Sequence, residues 1–74
     1  METSVLISLV KRLMMMKKSN QEEVRHFEMD GVERAQVTYN PQTELYTLSD
    51  HLTGRQYLFD NVDLVAIDLY ELLG

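Results

Sequence analysis

Few residues in this chain are equipped for chemistry, and none falls into a catalytic spacing. Histidine occurs only at His26 and His51, and cysteine is absent. Without cysteine there is no thiolate nucleophile, no disulfide and no thiolate metal site. His26 and Glu28 alternate on one side of an expected strand, with Arg34 expected opposite His26 across a hairpin. That arrangement could contact an anion or another small polar ligand. A metal site needs three or four converging ligands, and His51 falls in a loop two strands away. No metal and no cofactor are therefore expected, and the plainer reading of His26 and Arg34 is a solvated sheet face.

The acids Asp60, Asp63, Asp68 and Glu71 are the other group that could do chemistry. Paired carboxylates catalyse glycoside hydrolysis only across a cleft, and a chain of 74 residues leaves little room for one. Asp60 and Asp63 instead suit the start of a helix, where a carboxylate caps free N–H groups and meets the positive end of the dipole. Asp68 and Glu71, three apart, read as a solvated helix edge. No serine is placed beside a histidine by any motif, so an enzyme is not expected.

The elements that would position these residues follow from periodicity. Residues 3–18 read as a helix capped by Thr3 or Ser4, with Val5, Leu6, Leu9, Val10, Leu13 and Met16 on one side. Ile7, Met14 and Met15 widen the apolar arc beyond what one packing face needs. Lys17 and Lys18 suit the negative end of the dipole, and Ser19-Asn20 ends the helix. Strands are expected at 24–28, 32–39, 44–49 and 55–59, joined by three turns.

A three-residue loop, Met29-Asp30-Gly31, would put Phe27 on one face with Glu33, Ala35 and Val37. The Asn40-Pro41-Gln42-Thr43 turn would pair Tyr39 with Glu44, Val37 with Tyr46 and Ala35 with Leu48. A loop at His51-Leu52-Thr53-Gly54 would pair Leu48 with Tyr57 and Tyr46 with Phe59. The turns then agree on one core face, comprising Phe27, Ala35, Val37, Tyr39, Tyr46, Leu48, Tyr57 and Phe59. A last helix at 62–73, capped by Asp60 or Asn61, presents a broad apolar face of Val65, Ala66, Leu69, Tyr70, Leu72 and Leu73. The expected fold is α+β, a helix, a four-stranded antiparallel meander and a helix in one domain spanning residues 1–74, with both helices on one face.

Two segments carry a resemblance. Arg25-His26-Phe27-Glu28-Met29-Asp30-Gly31 with Val37-Thr38-Tyr39 is one. Phe59-Asp60-Asn61-Val62-Asp63-Leu64-Val65-Ala66-Ile67 with Glu71-Leu72-Leu73 is the other. They are similar to the YkuJ-like family, small proteins of unknown function from Gram-positive bacteria. The resemblance implies a central antiparallel sheet flanked by helices and brings no activity, cofactor or catalytic residue with it.

Size and charge bound the partners. A domain this small buries only about 60% of its unfolded surface, and ordering costs roughly 1.5 kcal/mol per residue. Without disulfide or metal, self-association is the default expectation, most simply a homodimer. Another protein partner is the second possibility. Candidate contact residues are the surplus apolar side chains, Ile7, Met14 and Met15 on the first helix and Leu64 and Ile67 on the last. Leu45 and Leu58, near Thr38 and Thr47, form a smaller patch on the open sheet face.

Net charge is −5, which disfavours nucleic acid and anionic membrane. The charge is uneven, since residues 1–37 carry six basic and six acidic groups while residues 38–74 carry Arg55 against six acids. Lys11, Arg12, Lys17 and Lys18 form the single basic cluster and the candidate RNA contact. Element order is analogous to that of RNA-binding folds such as the Alu-binding subunits of the signal recognition particle. The aromatics, however, are expected beneath the helices, where they could not stack on bases. The apolar run Val5 to Val10 is short, broken by Ser8 and followed rather than preceded by its cations, unlike a secretory signal. A cytoplasmic protein is expected.

Overall fold

A computed structural model describes residues 3–73, with side chains from residue 5 to residue 73. The chain runs α1 (Thr3–Ser19), β1 (Glu23–Met29), β2 (Val32–Asn40), β3 (Leu45–Asp50), β4 (Arg55–Phe59) and α2 (Val62–Leu73). The strands form one antiparallel sheet in the order β1-β2-β3-β4, a plain meander. Both helices cover the same face, as expected. Leu9, Leu13 and Met16 of α1 and Val65, Ala66 and Leu69 of α2 are buried in one cluster with Phe27, Ala35, Val37, Tyr39, Tyr46 and Leu48. Burying a Leu, Val, Met or Phe side chain contributes about 1.5–3 kcal/mol each.

The helix ends follow their sequence signals. Ser19 Oγ donates to the Met16 carbonyl at 2.9 Å and reaches Glu23 Oε2 at 2.9 Å, so it caps α1 and ties it to β1. Asn20 follows with φ +54°, a left-handed stop. Asn61 is the N-cap of α2, its Oδ1 accepting the Asp63 N–H at 2.8 Å. The Thr3 or Ser4 cap falls outside the described side chains. Val5, expected on the core side of α1, is exposed at the helix start.

The first hairpin differs from expectation. Its loop has two residues, Asp30 and Gly31, with φ +55° and +78°, and Met29 pairs with Val32. Positive φ at both positions is the hairpin turn that matches strand twist and favours Asp-Gly. A slip of one residue would then expose Phe27. The structure avoids this with a bulge, in which Glu28 pairs with Glu33, Phe27 pairs with Ala35 and Arg34 is the extra residue. Phe27 reaches the core face, while Glu33 goes to the open face instead of sharing the face of Phe27.

The second hairpin is displaced by two residues, pairing Tyr39 with Tyr46, Val37 with Leu48 and Ala35 with Asp50. A shift of two preserves every face. The third hairpin has the expected register, with Leu48 opposite Tyr57 and Tyr46 opposite Phe59. Tyr57 lies on the core side but is 38% exposed, because β4 is an edge that the helices cover poorly.

The second and third hairpin loops are built alike. In one, the Asn40 carbonyl accepts the Glu44 N–H at 2.8 Å and Asn40 Oδ1 accepts the Gln42 N–H at 2.9 Å. In the other, the Asp50 carbonyl accepts from Gly54 at 2.8 Å and Asp50 Oδ1 from Leu52 at 2.8 Å. Each ends in a left-handed residue, Glu44 at φ +58° and Gly54 at φ +74°. Only glycine adopts that conformation without steric cost. Glu44→Gly should therefore stabilise the fold by about 0.5–1 kcal/mol, read as a higher urea midpoint at unchanged slope.

Tyr46 joins the layers. Its buried hydroxyl donates to the Leu13 carbonyl of α1 at 2.8 Å, and its ring lies 4.8 Å from that of Tyr39. Burial, reinforced by Tyr39, pushes the phenol from 10.0 up to about 12. The neutral form is the stabilised one, so its contribution is complete below pH 10 and is lost as pH rises towards 12. Tyr46→Phe should cost about 1 kcal/mol at neutral pH. The gap between wild type and variant should close across that alkaline range, as followed by urea titrations at stepped pH.

Candidate functional site

The bulge at Arg34 has a consequence on the open face. The Arg34 carbonyl accepts the His51 N–H at 3.1 Å, which draws the start of the last loop towards β2. Glu33 then bridges both histidines, with Oε1 2.7 Å from His26 Nδ1 and Oε2 3.2 Å from His51 Nδ1. One carboxylate holds one imidazole N–H on each oxygen. Glu28 is directly opposite Glu33, a like-charge pairing that destabilises a sheet, and the two donors offset it.

This corrects two expectations. His26 pairs with Gln36, so the structure does not bring it to Arg34. His51 is not isolated two strands away but shares a carboxylate with His26. A bulge turns on one residue of register, and the hydrophobic pattern alone did not reveal it. The available signal was the Asp30-Gly31 dipeptide, whose two-residue turn requires an extra residue in β2 to keep Phe27 inside. Among the described residues no three His, Cys, Asp or Glu side chains are arranged to hold a metal ion. The cluster is a hydrogen-bonded clasp over β1, β2 and the last loop.

Asp50 is the other residue missed from sequence. It is buried on the core face at the end of β3, with Oδ1 committed to the loop. Alternation along β3 from Tyr46 and Leu48 puts it there, opposite Ala35.

The basic residues divide. Lys11, Arg12, Lys17 and Lys18 are all exposed. The guanidinium of Arg12, however, stands 5.8 Å from the centroid of the Phe27 ring, over the side of β1. Lys11 and Lys18 line a separate hollow of about 250 Å³ with Met14 and Met15. Lys11 and Arg12 together line a further hollow of about 420 Å³ with Ile7 and Met15.

The surplus apolar residues are where helical phase places them. Ile7, Met14, Met15, Leu64 and Ile67 are between 44% and 62% exposed. On the sheet's open face Leu58 is 67% exposed, and Leu45, its diagonal neighbour across the Thr47 pair, is half-buried. Among the described residues no helix is long and apolar enough to cross a membrane.

These features define a small α+β protein with one sheet face under two helices and apolar side chains outside the core on both helices. The chain belongs to the family described as protein of unknown function (DUF1797), whose model matches residues 9–73. It is 30% identical over 77 residues to the uncharacterized protein YkuJ of Bacillus subtilis (strain 168), covering 95% of this chain and 98% of that one. The X-ray structure of the YkuJ protein from Bacillus subtilis superposes with a TM-score of 0.85 at 29% identity, covering 92% of this chain and 95% of that chain.

The clasp generates a specific expectation. Because Glu33 accepts from both Nδ1 atoms, the neutral rings of His26 and His51 should both be Nδ1–H tautomers in long-range ¹⁵N spectra. Glu33→Ala should return both to the Nε2–H form together, at a stability cost below about 1 kcal/mol. A variant that moved only one ring would show that the carboxylate is not shared.

Proposed function

We propose that this chain is a cytoplasmic, non-enzymatic interaction protein that works as a homodimer through the outward face of its helical layer. The observation that carries this reading is the pattern of exposed side chains on the two helices. On α1, Ile7, Lys11, Met14 and Lys18 recur at spacings of four, three and four, alternating apolar and basic. On α2, Leu64, Ile67 and Glu71 recur at three and four, with Asp63 and Asp68 alongside, combining apolar with acidic. Such spacings form one stripe along a helix.

A two-fold axis would lay α1 of one copy on α2 of the other twice over, matching lysines with carboxylates and apolar residues with one another. Two adjacent helices offer a plate roughly 25 Å by 20 Å. That is the right order for a stable interface of about 800 Å² per partner. Methionine suits such a surface because it repacks at little cost. The net charge of −5 weakens the alternative of an RNA contact.

Sedimentation velocity at micromolar concentration should give a dimer for the wild type. Ile67→Asp should give a folded monomer, since Ile67 is exposed and its replacement costs the subunit within about 0.5 kcal/mol. A monomeric wild type, or a variant that still dimerises, would contradict the proposal.

A further inference from the structure

A second surface, independent of the helical layer, lies along the free edge of the sheet. β1 is an outer strand of seven residues, and among the described residues its backbone bonds to β2 alone. The unpaired N–H and C=O groups on its other side are a template for another strand. Beside this edge, between β1 and α1, lies a hollow of about 540 Å³ whose walls include Leu9, Arg12, His26, Phe27, Glu28 and Leu73. A second hollow of about 300 Å³ continues it past Arg12 and Phe27 to Arg25.

Charge distinguishes this edge from the other one. Arg12 rests on the Phe27 ring and has no carboxylate within 4.0 Å among the described residues. Among the described residues Arg25 meets one carboxylate, that of Glu23, at 3.9 Å. Phe27 and Arg25 are two apart and point to the same face of β1. At the opposite edge, β4 borders a hollow of about 260 Å³ walled by Asp50, Asp68 and Glu71. An acidic side chain is favoured in the hollow walled by Arg12 and Arg25 and repelled by the three acids beside β4.

We propose that the β1 edge binds an extended segment of a partner protein as a fifth strand, with an apolar side chain in the hollow beside Leu9 and Leu73 and an acidic one two residues away between Arg12 and Arg25. Main-chain hydrogen bonds to β1 supply affinity, and the hollow reads every second side chain. The preferred motif is apolar-x-acidic in an extended conformation.

The experiment selects a phage-displayed library of random decapeptides on the intact chain and measures the enriched peptides by fluorescence anisotropy and NMR. Enriched sequences should share apolar-x-acidic, and their amide perturbations should map to Glu23–Met29. Arg12→Glu, an exposed change, should weaken binding about tenfold. Arg12→Lys should retain most of it, and N-methylation of alternate peptide bonds should abolish it. Raised salt should weaken binding. Selection yielding no sequence above a control protein overturns the proposal. So does a helical i, i+3, i+4 consensus indifferent to Arg12→Glu. Concentration-dependent protection of the β1 amides without peptide would assign the edge to a second copy and overturn it equally.

Discussion

The position of α1 depends on one hydrogen bond and one row of side chains. α2 lies against all four strands, whereas α1 packs chiefly on α2. Leu9, Leu13 and Met16 supply the apolar part of its seat, and the Tyr46 hydroxyl, donating to the Leu13 carbonyl, supplies the directional part. A carbonyl inside a helix already has its helical partner, so this second bond is available only where a donor reaches the backbone from outside. Tyr46 does so from the central strand β3, across the full thickness of the core. Both surfaces of interest follow from that placement. The outward stripes of α1 and α2 are neighbours because the helices are side by side, and the hollow beside β1 exists because α1 stands off the sheet there.

The fold was legible because a strand's side chains alternate with a period of two. The expected and observed registers of the second hairpin differ by two residues, so Val37, Tyr39, Tyr46 and Leu48 kept their faces although each changed partner. The first hairpin tolerated a wrong loop for a related reason. A three-residue loop without a bulge and a two-residue loop with one deliver Phe27 to the same side. Pattern reasoning reads faces well and partners poorly. Tyr57 shows its other limit, since belonging to the core face does not guarantee cover on an edge strand.

The clasp could not be read by the same means. It depends on which residue of β2 is extruded and on the backbone bond between His51 and Arg34, neither of which leaves a hydrophobic trace. His26 was expected to face Arg34 and instead meets Glu33, because the extra residue reverses the face of everything between it and the turn. The exposed helix residues were legible, because helical phase alone separates Ile7, Met14 and Met15 from Leu9, Leu13 and Met16.

A chain of 74 residues with no disulfide gains from burying surface outside its own core. In the proposed dimer, the alternation of apolar with basic groups on α1, and of apolar with acidic groups on α2, is what would let a copy recognise itself. The most direct measurement is an isotope-filtered NOE experiment on a mixed sample, half carrying ¹³C-methyl methionine and half carrying ¹³C-methyl isoleucine. The account predicts intermolecular NOEs from the methyls of Met14 and Met15 to the δ1 methyl of Ile67. Intermolecular NOEs absent from these methyls, in a sample whose diffusion is that of a dimer, would contradict it.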